Sequence, residues 1–322
     1  MFILKAIVPW GILAALLSAV ATFFWIRFSR KEEWGQEIRE EGNKAHYKKK
    51  GTPTMGGVAF TAVFLLLLLF VGKGNVETLL IAICTLGFGA IGFLDDWEKM
   101  KKRESEGLTP RQKLLLQFAF AAALLSVHYF FAPAMAVQTI PFFGWQWRLG
   151  LFSIPLLAFI MVGTVNAVNL TDGLDGLCAG VSLPVFLLLA FLSGYNAVQE
   201  GSVAVAAILF AGVLTGFLFF NSHPASLFMG DTGSMAIGGA LSAILMVMNR
   251  LPSLLVLGGI YLMEALSVIL QVAYFKRTGG KRIFLMSPIH HHFELKGYPE
   301  EKVTVAFTLA SVLLCMLAVW IW

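Results

Sequence analysis

The sequence predicts an all-α integral membrane protein that crosses the bilayer ten times, with both termini on the periplasmic or extracellular side. Two compositional observations support this class: hydrophobic residues make up 58% of the 322-residue chain, and charged residues only 13%. A soluble domain carries about a quarter charged residues. The chain therefore has too little polar surface to cover a globule in water, and the bilayer must take the place of the solvent.

The predicted spans are the apolar stretches that are long enough to cross the hydrocarbon core, which takes about 20 helical residues. In chain order they are residues 3–28, 56–72, 78–95, 113–132, 151–169, 177–195, 203–220, 234–249, 253–275 and 303–322. Basic residues follow the first span where a signal peptide would have a small-residue cleavage site, which indicates a retained helix. No repeat or linker divides the chain, so residues 1–322 are expected to form a single domain with five cytosolic loops.

The distribution of Lys and Arg orients the predicted spans, because basic residues are enriched in cytosolic loops. Residues 27–51, 97–113 and 276–302 contain eight, six and six of the 24 basic residues. An even number of spans places both termini on the same side, which is here the side poor in basic residues. The outer segment 133–150, which contains two tryptophans, is interpreted as an interfacial turn.

All five aspartates of the chain fall at the cytosolic ends of predicted spans. They are Asp95, Asp96, Asp172, Asp175 and Asp231. A proton or ion pathway would distribute carboxylates over several depths of the membrane. An acidic cluster at one face, among Lys and His residues, instead suits a metal-assisted reaction on phosphates. Carboxylate oxygens select hard cations such as Mg²⁺ or Mn²⁺.

Structural roles are the alternative for these acidic residues. Asp231 and Asp175 each precede a helix and could be its N-cap. Asp95 and Asp96 end a predicted helix, where the helix dipole disfavours negative charge, so capping does not account for them. Neighbours on a helix point about 100° apart, and the two residues are therefore expected to have different partners.

Three further polar features of the sequence are the histidine run, the segment 48–57 and Glu264. The run His290, His291 and His292 is interpreted as contacting substrate phosphates rather than zinc, with a solvated loop as the alternative. The glycines that end segment 48–57 could let backbone N–H groups approach a phosphate, although the P-loop spacing is absent. Glu264 lies in the middle of the ninth predicted span, is expected to be far from the aspartates, and is therefore expected to have a structural partner.

The motifs resemble those of the phospho-N-acetylmuramoyl-pentapeptide transferase branch of the polyprenyl-phosphate N-acetylhexosamine-1-phosphate transferase superfamily, nearly end to end. The resemblance rests on residues 51–57 (Gly-Thr-Pro-Thr-Met-Gly-Gly), 93–96 (Phe-Leu-Asp-Asp), 166–176, Asn221 with 228–231 (Phe-Met-Gly-Asp), and 288–294 (Pro-Ile-His-His-His-Phe-Glu). It implies a ten-helix homodimer in the bacterial plasma membrane, with its active site on the cytosolic face and no nucleic-acid partner.

The same resemblance implies an activity and its residues. The enzyme would use Mg²⁺ to transfer phospho-N-acetylmuramoyl-pentapeptide from UDP to undecaprenyl phosphate, giving UMP and lipid I for peptidoglycan synthesis. Catalytic roles are implied for Asp95, Asp96 and Asp231, with Asp231 as the metal ligand. Substrate contacts are implied for Lys49, Thr54, Asn169, Asp172, Asp175, Asn221, Phe228, His290, His291 and His292.

Two other functions stay open on the sequence. A UDP-N-acetylglucosamine transferase that starts another envelope polymer shares the aspartate motifs, although the His-rich loop matches the muramoyl branch. A lipid or solute transporter would need binding sites near the bilayer midplane, whereas the aspartates are all predicted at one face. Direct attack by the lipid phosphate is favoured over a phosphorylated aspartate, and the sequence does not decide between the two.

Overall fold

The computed structural model describes residues 2–35, 49–72, 74–131, 136–140, 144–195 and 197–321. Residues 36–48, part of the first predicted cytosolic segment, lie outside these ranges. In chain order the α-helices are α1 (Phe2–Lys31), α2 (Gly56–Val71), α3 (Val76–Lys102), α4 (Pro110–Phe131), α5 (Ser153–Thr171), α6 (Leu177–Tyr195), α7 (Ala197–Asn221), α8 (Gly230–Val247), α9 (Leu254–Leu257), α10 (Gly259–Arg277), α11 (Ile289–Leu295) and α12 (Glu300–Ile321).

The length and composition of the helices confirm the predicted class of an all-α polytopic membrane protein. Within the described residues, nine helices are long and apolar enough to cross a membrane, namely α1, α3 to α8, α10 and α12. The remaining predicted span corresponds to α2, which is apolar but has only 16 residues. The total of ten crossings and the side of the termini stay predictions.

Two predicted spans differ from the observed helices. The third span was expected to end at Asp95, but α3 continues to Lys102. Lys99, Lys101 and Lys102 lie in its last turn and complement the helix dipole, so the helix extends past the apolar stretch that hydropathy detects. The ninth span begins with a 3-10 turn, Leu251–Ser253, and the short α9, and its main helix starts only at Gly259.

Helix α8 forms the centre of the bundle, since every residue from Thr232 through Met246 is buried. Glycines bring its neighbours unusually close. A Cβ at Gly57 on α2 would overlap the backbone of Gly233, and a Cβ at Gly92 on α3 would overlap the backbone of Asp231. Small residues allow such close helix contacts in membranes. The first turn of α8 is thereby fixed against α2 and α3.

Apolar side chains both fill the bundle and cover its outside. Inside, the rings of Phe186 and Phe210 stack with centroids 4.4 Å apart, and Phe64 packs edge-on against Phe210 at 4.6 Å. Outside, Phe131 and Trp320 are 81% and 83% exposed. Such an apolar outer surface is suited to lipid and not to water.

A short antiparallel hairpin connects α4 to α5. Its strands are β1 (Val137–Thr139) and β2 (Gln146–Arg148), and it is tied to the segment after α8, because the Thr139 N–H donates to the Asn249 carbonyl over 2.9 Å. This hairpin forms part of the segment predicted to be an interfacial turn. Residues 133–135 and 141–143 of that segment lie outside the described ranges.

The opposite end of the bundle brings together many helix termini. The C-terminal parts of α1, α3, α5 and α7 meet the N-terminal parts of α2, α4, α6 and α8, as their hydrogen bonds and ion pairs show. Because consecutive long helices run in opposite directions, loops far apart in the chain converge at this end. Each of the predicted site motifs lies here.

Candidate active site

A cavity of about 820 Å³ opens at this end of the bundle. Most of the residues predicted to form the site line it: Lys49, Thr54, Asp96, Asn169, Asp172, Asp175, Asn221, Phe228, Asp231 and His291. Asp95, His290 and His292 are not among the described residues that line the cavity. The motifs are thus assembled around one space, although three of the predicted side chains do not line it.

Three carboxylates and two ammonium groups form the charged centre of the site. One carboxylate oxygen each from Asp95, Asp96 and Asp231 lies within 4.8 Å of the others. Lys99 Nζ lies 2.6 Å from Asp95 Oδ2 and 3.1 Å from Asp231 Oδ2. Lys113 Nζ contacts Asp231 Oδ2 and lies 3.6 Å from Asp95 Oδ2. We call these five residues the acidic cluster.

Asp96 caps helix α8. Its Oδ1 accepts a hydrogen bond from Asp231 N over 3.1 Å, and its Oδ2 accepts from Thr232 N and Thr232 Oγ1 over 2.9 and 2.8 Å. Helix N-termini present unpaired N–H groups that a carboxylate stabilises. The interpretation that capping does not account for Asp96 is therefore wrong, because the helix that it caps is not its own. Asp231 is not the N-cap of α8, a position held by Met229.

Asp95 does not cap α8, although its carboxylate lies near that of Asp231. Its Oδ1 accepts a hydrogen bond from Leu108 N over 2.9 Å, and its Oδ2 lies toward Lys99 and Lys113. The two adjacent aspartates thus accept backbone hydrogen bonds from different elements, as helix geometry predicts, while both lie near Lys99. Asp95 is 2% exposed, so it reaches the cavity only through the two lysines and Asp231.

Amide side chains hold the remaining polar wall in place. Asn169 Nδ2 donates to Asp231 Oδ1 and to Ser234 Oγ, each over 2.9 Å, and so fixes the metal-candidate carboxylate from the end of α5. Asn221 Nδ2 donates to the Leu227 carbonyl over 2.9 Å. Asn221 therefore shapes the loop between α7 and α8 as well as lining the cavity.

The segment before α2 is bound to the segment before α8. Phe228 N donates to the Pro53 carbonyl, and the N–H groups of Gly56 and Gly57 donate to the carbonyls of Phe228 and Met229 over 2.8 and 2.9 Å. These two N–H groups are already paired, so the interpretation that they approach a phosphate is wrong. The glycines are instead needed for the close packing of α2 on α8.

Asp175 belongs to a second charged group across the cavity. Lys49 Nζ lies 2.7 Å from Asp175 Oδ1 and 2.6 Å from Glu300 Oε1, and His223 Nδ1 lies 3.1 Å from Asp175 Oδ2. Asp175, His223 and Glu300 could by spacing hold a metal ion, but the Lys49 ammonium already provides the positive charge there. This group joins the loop after α5 to the ends of α7 and α12.

The three consecutive histidines point to three different partners. His290 is fully buried, with Nδ1 3.1 Å from Glu264 Oε1. His291 lines the cavity, and its Nδ1 lies 2.6 Å from Glu294 Oε2. His292 Nδ1 accepts a hydrogen bond from Leu285 N. Among the three described histidines, His291 alone lines the cavity, because α11 turns each successive side chain by about 100°; contact of all three with substrate stays a prediction.

Glu264 has the structural partner that the sequence analysis expects, but its expected distance from the aspartates is wrong. Its partner His290 lies directly against Gly173, which follows Asp172 in the loop after α5. Both Gly173 and Asp172 line the cavity. Helix α11 thus packs its His290 side chain into the bundle against α10, which no hydropathy pattern reveals.

Asp172 has the clearest electrostatic perturbation outside the membrane-spanning helices. Burial raises the pKa of Asp172 well above its ordinary value, and the nearby carboxylates of Asp231 and Asp96 raise it further. A cation that entered the cavity would favour the ionised form of this group. The wall of the cavity near Asp172, Asp231 and Asp96 therefore favours the binding of a cation.

Some residues at the site were not predicted from the sequence. Lys99 follows Asp95 and Asp96 by one helical turn, a spacing that could have indicated the contact. Lys113 lies on the next helix, and no local pattern distinguishes it from the other basic residues of its segment. Trp34 and Trp97, whose rings pack edge-on at 5.8 Å, also line the cavity without a motif that marks them.

Comparison with known proteins agrees with this geometry. The profile of Glycosyl transferase family 4 matches residues 78–249, which is more than half of the chain. The phospho-N-acetylmuramoyl-pentapeptide-transferase signature 1 matches residues 49–60. The two regions contain Lys49, Thr54 and all five aspartates, so the matched sequence includes much of the cavity wall.

Several relatives are similar over nearly the whole chain, and each is named phospho-N-acetylmuramoyl-pentapeptide-transferase. The protein of Clostridium kluyveri is 46% identical over 89% of this chain and 90% of its own length. That of Caldanaerobacter subterraneus is 45% identical over 94% of both chains, and that of Geobacillus kaustophilus is 43% identical over 98% of both. At this identity and coverage, the chain belongs to the phospho-N-acetylmuramoyl-pentapeptide-transferase family of phosphoglycosyl transferases.

Proposed function

We propose that the protein transfers phospho-N-acetylmuramoyl-pentapeptide from its UDP-linked donor to undecaprenyl phosphate, releasing UMP and forming lipid I for peptidoglycan synthesis. The observation that carries this proposal is the acidic cluster at the wall of a cavity at one end of the apolar helices, an end that we assign to the boundary between lipid and water. A water-soluble nucleotide-sugar and a lipid phosphate can reach each other only at such a boundary.

The reaction replaces one diphosphate bond with another and is therefore close to thermoneutral. An oxygen of the lipid phosphate forms a bond to the sugar-bearing phosphorus of the donor, while the bond from that phosphorus to the UMP oxygen breaks and UMP leaves with the electron pair. Phosphoryl transfer is accelerated mainly by positioning and by neutralising charge. Lys99 at the cavity wall and Lys113 beside Asp231 supply positive charge, and Asn169 holds the Asp231 carboxylate in a fixed direction.

Asp95 is the residue that we assign to the lipid phosphate. Its Oδ2 faces the two lysines of the cluster, whereas both oxygens of Asp96 already accept hydrogen bonds from α8. A lipid phosphate that drew Lys99 or Lys113 away from Asp95 would be oriented by the ammonium groups of these two lysines. Because a phosphate monoester is largely ionised near pH 7 (second pKa about 6), orientation matters more here than removal of a proton.

We further propose that the acidic cluster binds Mg²⁺, with Asp231 as the principal ligand. The donor set fits, because Mg²⁺ takes one or two protein carboxylates together with phosphate oxygens, and Asp231 lies beside a second carboxylate, that of Asp95. When bound, the ion would neutralise charge on the donor diphosphate. On the protein side, Asn169 and the capping contact from Asp96 keep the Asp231 backbone and side chain in place.

The metal role predicts the behaviour of Asp231→Asn. We expect this variant to lose turnover and to respond weakly to Mg²⁺, since the substitution removes the charge. It should keep the fold, because an asparagine side-chain oxygen can still accept the hydrogen bond from Asn169. UMP release measured against Mg²⁺ concentration, together with the thermal midpoint of the purified protein, checks both halves. Near-normal activity would exclude Asp231 as the ligand.

The choice of donor is tested with purified protein in nanodiscs that contain undecaprenyl phosphate. UDP-N-acetylmuramoyl-pentapeptide should release UMP and yield a lipid-linked product, and UDP-N-acetylglucosamine should not. Asp231→Asn serves as the inactive control. Turnover of the acetylglucosamine donor alone would reassign the protein to the related transferases. Substrate flux into liposomes without UMP release would instead indicate a transporter.

We also propose a homodimer in the bacterial plasma membrane, with the cavity facing the cytosol. The basic segments at the cavity end of the bundle support that orientation, and the family resemblance supports the dimer. Native mass spectrometry of the protein released from nanodiscs measures the assembly directly. A mass of one chain at all protein concentrations would contradict the dimer and leave the activity untouched.

A further inference from the structure

A buried pair of ionisable side chains joins α10 to α11. Glu264 and His290 are each 0% exposed, and His290 Nδ1 lies 3.1 Å from Glu264 Oε1. This is ion-pair distance without the alignment of a hydrogen bond, and within the described residues neither side chain has a hydrogen-bond partner. An ionisable group buried alone is strongly unfavourable. Each of the two groups therefore depends on the other for its place in the bundle.

The other edge of the His290 ring lies against Gly173, a residue that lines the cavity. A Cβ at Gly173 would overlap His290 Nε2 and lie only 2.7 Å from Cε1, so the ring fits there because residue 173 is a glycine. Gly173 lines the cavity between Asp172 and Leu174. The imidazole is thus held between Glu264 on one side and, on the other, the backbone of the loop after α5, which we call the acidic loop because it carries Asp172 and Asp175.

The position of this ring determines where its neighbour points. Helix α11 has only seven residues, too few to be stable without packing. With His290 fixed inward, the rotation of about 100° per residue turns His291 toward the cavity, which it lines. Releasing His290 would free both the direction of His291 and the backbone of Gly173.

We propose that Glu264, on a membrane-embedded helix, is a positioning residue for the transfer reaction. It acts through His290, which it holds inside the bundle so that α11 presents His291 to the donor cavity and Gly173 keeps the acidic loop in place. This inference rests on the proposed function for its kinetic consequence. Its structural consequence, the protection of His290, is independent of any activity.

The structural consequence is tested by modification with diethyl pyrocarbonate, which labels accessible imidazoles and is located by fragment mass spectrometry. In the unmodified sequence, His290 should be protected while His291 reacts. In Glu264→Ala, His290 should become reactive, whereas Glu264→Gln, which keeps the side-chain shape and an acceptor oxygen, should largely restore protection. Continued protection of His290 in Glu264→Ala overturns the proposal.

Ser267→Ala is the matched control for these variants. Ser267 lies one turn further along α10, is 2% exposed, and donates its hydroxyl to the Glu264 carbonyl over 2.7 Å. Its removal disturbs the same buried region without touching the ion pair. Labelling of His290 and turnover should both match the unmodified protein. Exposure of His290 in this control would mean that any damage to α10 has the same effect, which would also overturn the proposal.

The kinetic consequence is tested by UMP release with donor and lipid varied separately. Glu264→Ala should lower kcat by about 10- to 100-fold, as small misplacements at an active site do, and Glu264→Gln by less. The KM for the lipid should stay within about twofold, since α11 lies on the donor side. The double variant Glu264→Ala/His290→Ala should be no slower than His290→Ala, because both substitutions remove one contact. If the fold-losses in kcat of the two single variants multiplied in the double variant, Glu264 and His290 would act independently.

The outcomes separate this proposal from the proposed function. If the unmodified protein releases no UMP from any donor, the function fails while the labelling experiment still decides the role of Glu264. If the unmodified protein turns over and Glu264→Gln and Glu264→Ala match it in both kcat and His290 protection, only the positioning role fails. Should Glu264→Ala not fold, Glu264→Gln alone must still show a lowered kcat with an unchanged lipid KM.

Discussion

Asp95 and Asp96 are neighbours in the chain, yet their carboxylates contact different elements. Asp96 accepts hydrogen bonds from the first turn of α8, whereas Asp95 lies between Leu108 N and the two lysines of the acidic cluster. The Asp96 carboxylate orders helix α8, which carries Asp231. The Asp95 carboxylate adjusts the charge around Asp231. A one-residue offset on α3 therefore separates a mainly structural role from a mainly electrostatic one.

This difference predicts unequal effects of Asp96→Asn and Asp95→Asn. An amide at position 96 loses one charge-assisted acceptor facing α8, and a hydrogen bond to a charged group contributes about 1.5–3 kcal/mol. An amide at position 95 can keep the bond from Leu108 N. We expect Asp96→Asn to lower the thermal midpoint in detergent clearly more, while both variants lose UMP release. Equal midpoints would contradict the capping role.

Lys113 gives a second prediction at this scale, because its ammonium contacts the Asp231 carboxylate proposed to bind metal. A unit charge about 4 Å away interacts by up to about 4 kcal/mol at an effective dielectric of 20. We expect Lys113→Met to bind Mn²⁺ at least about tenfold more tightly, by electron paramagnetic resonance titration. It should still release UMP more slowly, because the site loses one of the two lysine cations beside Asp231. Arg111→Met, exposed on the same helix, should change neither quantity. Weaker Mn²⁺ binding in Lys113→Met would contradict the electrostatic argument.

At the scale of helices, the site depends on how closely α2 and α3 approach α8. Gly57 and Gly92 permit this approach, and the backbone bonds from Gly56 and Gly57 to the segment before α8 fix its register. Hydropathy identifies such helices from composition but not their ends, because it reports the apolar stretch and not the hydrogen-bonded one. This is why α3 extends seven residues past its predicted end and carries Lys99 into the acidic cluster.

The α2–α8 contact predicts different results for the same glycine-to-alanine change at two positions. Gly57→Ala places a methyl group in the backbone of Gly233, and overpacking of this kind costs about 1–3 kcal/mol. It should lower the thermal midpoint and, by shifting the first turn of α8, UMP release as well. Gly163→Ala meets nothing within 4 Å on the exposed side of α5 and should leave both unchanged. If the two variants behave alike, close packing on α8 is not what the glycine provides.

At the scale of the whole molecule, the sequence was sufficient for the class of fold and for the convergence of its motifs. Alternating helix directions bring every second loop to one end, so motifs in those loops had to meet there. Pairings within that end were not predictable. Asp175 with Lys49 and Glu300, and Glu264 with His290, join residues that are 26 to 251 positions apart in the chain only because distant helices pack. Side-chain direction depends on that packing and leaves no periodic trace.

The orientation of the bundle gives the last prediction. Most basic residues lie in segments at the cavity end, and basic loops are retained in the cytosol, so the β1–β2 hairpin should face outward.

The native cysteines Cys84, Cys178 and Cys315 are buried, which leaves a low background for labelling single cysteines with a membrane-impermeant maleimide. Trp147→Cys, at a position 52% exposed in the hairpin, should react in intact spheroplasts. Glu106→Cys, exposed between α3 and α4, should react only after permeabilisation. The reverse pattern would place the cavity outside, where a cytosolic UDP-linked donor could not reach it, and the proposed reaction would then be impossible in the cell.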